Sequence, residues 1–182
     1  MKLWKTLSKQ IVFERSPWIK LEEHQIELPD GKVLDQWIWI DTPDFVIVVA
    51  VDQQDHFLVF EQTKYASSGL TLAPVGGYIQ AGEEPLAAAR RELLEETGFE
   101  AEDWISLGSF MTDANRGNGN GHYYLAKNAR KTDQIPLSDD LEEQRLLFFS
   151  AAELQKALDL NQVKIITWQA GFTMALQRFS AG

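Results

Sequence analysis

Along this chain the apolar residues first fall in strand-length runs and only later take up a helical spacing. The stretches "WIKLEEHQIEL" (18–28) and "KVLDQWIWI" (32–40) read as strands. Between them lies "PDG", a turn in which Pro presets φ and Gly tolerates positive φ. "FVIVVAV" is a short, unbroken apolar run of the kind buried on both faces of a sheet. After the polar turn "DQQD" comes "HFLVFEQT", so Phe45–Val51 and Phe57–Glu61 are expected as adjacent core strands.

The first clear helix falls in "GEEPLAAARRELLEETG". Pro85 suits its first turn, where the missing N–H is not needed, and Gly98 suits the position just past its end. Leu86, Ala89, Leu93 and Leu94 supply a buried stripe. Strands return at "WISLGSFM" and "HYYLAKN", separated by the Asn/Gly-rich "TDANRGNGNG", which is expected to be a mobile loop. Ser150 with Glu153 three residues on is a capping-box pattern opening a helix through about Leu158. A last helix is expected from about Gln162 to Phe179, with Ile165, Trp168, Phe172, Ala175 and Phe179 on its core side. Strands, then a helix, then strands and two more helices predict an α+β fold, a mixed sheet flanked by helices.

Composition narrows the function classes. The chain has 182 residues, 45% hydrophobic and 24% charged, enough for one domain with a substantial core. A formal net charge of −10 argues against sequence-independent nucleic-acid binding, which relies on clustered Lys and Arg. An acidic protein binds a phosphate substrate when cations bridge the two. With no cysteine, disulfides and thiolate metal sites are excluded. No stretch is apolar enough for a signal peptide or a membrane span, so a soluble cytoplasmic protein is expected. His24, His56 and His122 are scattered and read as structural or exposed. Trp18, Trp37 and Trp39 read as core or subunit-contact residues in preference to base-stacking ones.

The candidate chemistry sits at the end of the first helix. In "RRELLEETG", Glu92 lies four residues before Glu96 and three before Glu95, so all three crowd one side of a helix. Two like charges about 4 Å apart repel by about 4 kcal/mol at an effective dielectric near 20. A divalent cation turns that repulsion into attraction. Hard carboxylate oxygens with no His or Cys nearby favour Mg²⁺ or Mn²⁺ over zinc. Glu92 and Glu96 form the best ligand pair, and Glu95 reaches the same cluster as a further ligand and catalytic carboxylate. Arg91 is placed to pair with Glu83 and to orient the ligands from behind.

The wider frame is "GGYIQAGEEPLAAARRELLEETGF". From Gly77 it carries Glu83, Arg91-Glu92-Leu93, Glu95-Glu96, Gly98 and Phe99 at the intervals of the Nudix box, G-x5-E-x7-R-E-U-x-E-E-x-G-U. Chance would produce such a match on the order of once in ten million chains of this kind. The chain thus resembles the Nudix hydrolases, and the resemblance implies an α/β/α sandwich with Gly76 lending a backbone carbonyl to the metal shell. It also implies hydrolysis of a diphosphate bridge, with metal ions neutralising the phosphates and activating a water for in-line attack.

Over roughly residues 10–155, "VFEQTKYASSG" and the preceding strands look like the ADP-ribose and nucleotide-sugar pyrophosphatase branch. There Lys64 stands where an arginine is common and would contact phosphate as a point charge. Leu72 stands where a glutamate is usual, and no proline occurs between Leu86 and Ile135, where ADP-ribose hydrolases typically carry one. Asn115 and Arg116 are candidates for recognising the sugar or terminal phosphate. The branch commonly takes its general base from a loop well after the box, which makes Glu142 and Glu143 in "SDDLEEQRLLFF" the candidates.

By resemblance, residues 1–42 form an N-terminal antiparallel strand extension that builds a homodimer, and residues 43–182 the hydrolase domain. The implied activity is Mg²⁺-dependent hydrolysis of a nucleoside diphosphate sugar to a nucleoside monophosphate and a sugar phosphate. The alternative is a non-catalytic nucleotide-sugar sensor with the same fold. Neither involves a nucleic-acid or membrane partner.

Overall fold

The computed structural model describes residues 1–134 and 143–180 and contains two compact units. One comprises Met1–Asp44 with Phe110–Asn120, and the other Phe45–Ser109 with Gly121 onward.

The first unit is built on β1 (Lys5–Arg15), β2 (Ile19–Glu27) and β3 (Val33–Asp41), joined in antiparallel pairs. Gly31 closes the predicted turn at φ 89°, with its N–H on Leu28 O at 2.9 Å. His24 is buried, hydrogen-bonded to Glu22 at 2.8 Å and stacked on Trp39. Every residue of β1 is exposed, including Leu7, Ile11, Val12 and Phe13. The tryptophans are not core residues. Trp18 is 61% exposed, and Trp37 and Trp39 are half-buried, because β2 and β3 carry no helix over this face within the unit.

The second unit contains β4 (Phe45–Asp52), β5 (Phe57–Gln62), β6 (Thr71–Ala73), β7 (Val75–Tyr78), α1 (Pro85–Thr97) and β8 (Phe99–Glu100). It continues with β9 (Asp103–Asp113), β10 (Gly117–Lys131), β11 (Gln144–Phe149), α2 (Ala151–Asp159) and α3 (Ile166–Ser180); β9 and β10 each begin or end in the first unit. β4 runs parallel to β10 and antiparallel to β7, so the sheet is mixed. β5 pairs with β6 and β11 over several residues and with β4 only at Val51–Phe57.

Both faces of β4 are covered, which is why its sequence is apolar without alternation. Val46, Val48 and Ala50 pack with Ala88, Ala89 and Leu93 of α1. Val49 and Val51 pack with Leu154 and Leu158 of α2 and Phe172 of α3. The α+β class and the helix–sheet–helix layering expected from the sequence are therefore present. Leu93 is fully buried, so Leu93→Ala is expected to destabilise the protein by about 2–5 kcal/mol, read from the midpoint of urea unfolding.

Three local expectations need correction. The buried face of α1 is Ala88, Ala89, Leu93 and Thr97, with Leu86 and Leu94 at its margins. Small side chains let the helix lie close on β4 and β7, so the stripe follows the alanines.

The Asn/Gly-rich stretch is a turn feeding straight into β10, not a loose loop. The Asp113 carboxylate accepts from the N–H groups of Asn115 and Arg116 at 2.8 and 3.0 Å. Gly117 takes φ 85°, and a Cβ there would lie 2.5 Å from the Trp39 ring. Its glycine therefore serves tight packing.

α3 starts at Ile166, after Asn161 turns the chain at φ 54°. The residues between run beside β6, with Leu72 N–H on Gln162 O and Lys164 N–H on Thr71 Oγ1. Ser150 does cap α2 through a full capping box with Glu153.

Candidate active site

α1 is delimited as its sequence suggests. Pro85 occupies the first turn, and Gly98, at φ 68°, ends the helix with its N–H on Leu94 O at 2.8 Å. This sets Glu92 and Glu95 on the flank of α1 that faces β7. Gly77 pairs with Val46 of the core strand β4, and the Glu92 carboxylate rests against its Cα. A Cβ on Gly77 would lie 2.2 Å from Glu92 Oε1. A glycine is thus what allows this carboxylate to reach its place.

Arg91 ties the cluster together. Its Nε and Nη2 donate to the two oxygens of Glu83, both at 2.9 Å, a bidentate fork. Nη1 donates to Glu92 Oε1 at 2.7 Å and to Glu95 Oε2 at 3.1 Å. Nη2 also reaches Tyr78 O at 3.2 Å, and Gln80 N–H donates to Glu83. One guanidinium therefore faces three carboxylates, leaving a local excess of negative charge.

The protonation equilibria follow from this arrangement. The Arg91 fork holds the Glu83 carboxyl below its ordinary value. Burial pushes Glu92 up against the opposing pull of Arg91. Arg91, bonded first to Glu83, is raised further above an already high value and stays charged.

Among the described residues no three Asp, Glu, His or Cys side chains converge closely enough to ligate one ion as they stand, because Arg91 spans them. The donor set nonetheless fits a hard divalent cation: all oxygen, held by a rigid glycine contact, and under-neutralised by a single arginine.

Glu96 lies half-buried in the same last turn of α1, and Gly76 stands next to Gly77 in β7, paired with Ile47. Lys64 lies just after β5. Glu143 is exposed immediately before β11, and Glu142 lies outside the described residues. Asn115 and Arg116 belong to the first unit. There the Asn115 carbonyl accepts from Trp37 Nε1 at 2.9 Å, and the Arg116 guanidinium lies 4.6 Å from the Trp37 ring centre. Sequence reasoning did not find the Tyr78 carbonyl as a partner of Arg91, since backbone acceptors leave no mark in residue type.

A family model described as NUDIX domain matches residues 41–169. The chain belongs to the Nudix hydrolase family. A second model, described as nucleoside diphosphate sugar hydrolase N-terminal domain, matches residues 4–37.

Among curated relatives of this Nudix protein is a methanol dehydrogenase activator of Bacillus methanolicus. It is 30% identical over 138 residues, which is 76% of this chain and 74% of that one. An ADP-ribose pyrophosphatase of Bacillus subtilis (strain 168) is 28% identical over 156 residues, 86% of this chain and 82% of that one. A crystal structure titled as an ADP compounds hydrolase superposes with a TM-score of 0.81 at 18% identity, covering 100% of this chain and 96% of that one. That likeness concerns the fold.

The matches agree with the branch that the sequence resembles, and the chain is a Nudix pyrophosphohydrolase. The non-catalytic sensor is therefore set aside. No helix among the described residues is long and apolar enough to cross a membrane.

Proposed function

We propose that this Nudix enzyme hydrolyses the pyrophosphate bond of a nucleoside diphosphate sugar of the ADP-ribose kind, releasing a nucleoside monophosphate and a sugar phosphate. The observation that carries the reading is the gathering of Glu83, Glu92 and Glu95 around Arg91 beneath Gly77. In support stand the relative named as an ADP-ribose pyrophosphatase and the match to a nucleoside diphosphate sugar hydrolase N-terminal domain.

Glu92, Glu95, Glu96 and the Gly76 carbonyl would hold Mg²⁺ or Mn²⁺, with Glu83 and Arg91 fixing their orientation. Bound there, the ion supplies charge neutralisation at the diphosphate and acidifies water for attack. The chain's own contribution is to position and to move a proton. Glu143 or Glu142 takes the proton from the attacking water as its oxygen bonds to phosphorus and the bridging P–O bond breaks. Lys64 offers a point charge to a phosphate oxygen.

Within the first unit, Trp4, His24, Trp37, Trp39 and Asn115 line a small cavity. Arg116 buttresses Trp37 from its ring face.

Incubation with Mg²⁺ and ADP-ribose, ADP-glucose, GDP-mannose or UDP-glucose is expected to release monophosphate from at least one. Absence of any phosphate-containing product across the panel would refute the assignment.

The same reading makes the protein cytoplasmic and a homodimer; the dimer is supported by β1, a strand exposed along its whole length that carries Leu7, Ile11, Val12 and Phe13. Light scattering at micromolar concentration is expected to return about twice the chain mass of 20.7 kDa. A monomer there would remove the dimer.

A further inference from the structure

Glu95 and Glu96 stand in the last turn of α1, where the aligned peptide dipoles already leave partial negative charge. The helix has no basic residue of its own in that turn. The cation comes from elsewhere. Lys131, in β10, sends its Nζ to the carbonyl of Thr97 at 2.5 Å, an acceptor that α1 itself leaves unused.

Several contacts fix Lys131 there. Its backbone pairs with Phe99 in the short β8–β10 ladder, and its Nζ lies 5.2 Å from the Phe99 ring centre. Next to it, Thr132 donates to the Gly98 carbonyl through both N–H and Oγ1, at 2.9 and 3.0 Å. A Cβ on Gly98 would come within 2.7 Å of the Lys131 ammonium, so the glycine admits the lysine as well as the turn. Arg130 pairs with Glu100 at 3.0 Å on the same ladder. Inside the turn, Thr97 Oγ1 bonds back to Leu93 O and accepts from Phe99 N–H. The contacts of Lys131, Thr132 and Thr97 grip the end of the helix that carries the glutamates.

We propose that Lys131 is a positioning residue for the metal-binding turn: by holding the Thr97 carbonyl it fixes the direction in which Glu95 and Glu96 leave the helix. The inference rests on the reading of those glutamates as ligands.

A clamp and a bare positive charge predict opposite signs. As a charge near a cation site, Lys131 would repel the ion, and its loss would tighten binding. As a clamp, its loss loosens binding, because ligands that must be ordered on binding cost conformational freedom.

The test is calorimetric titration of the full chain with Mn²⁺ and no substrate, checked by the electron paramagnetic resonance signal of free Mn²⁺. Lys131→Met is expected to raise the Mn²⁺ dissociation constant about tenfold, the low end of the scale for one lost charge-assisted hydrogen bond. Lys131→Arg, which can still donate to Thr97, is expected to stay within about twofold.

Equal or tighter binding by Lys131→Met would overturn the proposal, as would an unchanged dissociation constant beside a lowered melting temperature. If Lys131→Met does not fold, Thr132→Val removes the Oγ1–Gly98 bond with the charge kept, and is expected to weaken Mn²⁺ binding in the same direction; no weakening again overturns the proposal. Should the wild-type chain itself bind no Mn²⁺, the ligand reading fails first and the inference falls with it.

Discussion

Glu96→Gln is expected to lower turnover at least about a hundredfold while the protein stays folded. The substitution keeps size and shape and removes one charge from a cluster proposed to hold divalent cations, and charge stabilisation of that kind is a large catalytic contribution. Glu96 lies at the negative end of α1's dipole, beside another glutamate, so losing its charge relieves repulsion there. The melting temperature is expected to shift by no more than about 3 °C. A variant that melts like the wild type and turns over within a few-fold of it would remove Glu96 from the reaction.

The second large effect is expected of Gly77→Ala. A methyl group there would fall 2.2 Å from Glu92 Oε1 and 2.4 Å from its Cδ, closer than atoms approach. The three atoms nearest that methyl group all belong to the far end of the Glu92 side chain, which is flexible. The fold is therefore expected to survive, and the Glu92 carboxylate to be pushed aside by about an ångström or more. Displacements of that size cost on the order of a hundredfold in rate when a group must meet a reacting centre. Steady-state kinetics beside a thermal melt would show it. Loss of rate with an unshifted melt is the expected pattern. Wild-type kinetics would mean that Glu92 has no fixed post.

Much of this could be read from residue order. Pro85 and Gly98 bracket α1, Ser150 and Glu153 announce α2, and the unbroken apolar run of β4 betrays a strand covered twice. The spacing of Glu83 and Arg91 suggested a pair, and the pair is present.

What stayed hidden depended on register and on size. That Gly77 would lie against Glu92 follows from β7 pairing with β4 at Val46, a long-range alignment no local pattern encodes. On the buried side of α1, Ala89 and Leu93 lie as expected, but Ala88 and Thr97 are buried there while Leu86 and Leu94 are only half-buried, because close helix–sheet packing selects the smaller side chain. The Asn/Gly-rich stretch looked mobile because those residues favour turns. Here the same backbone freedom is used to thread β10 past Trp39. Lys131 gave no signal at all, since one lysine in a strand looks like any other.

The pairing of Gly77 with Val46 sets the proposed metal site on the strand that both helical layers enclose. Heat is therefore expected to unseat Glu92 only when that strand itself gives way, and a chemist wishing to tune this protein for heat would have to begin at its centre.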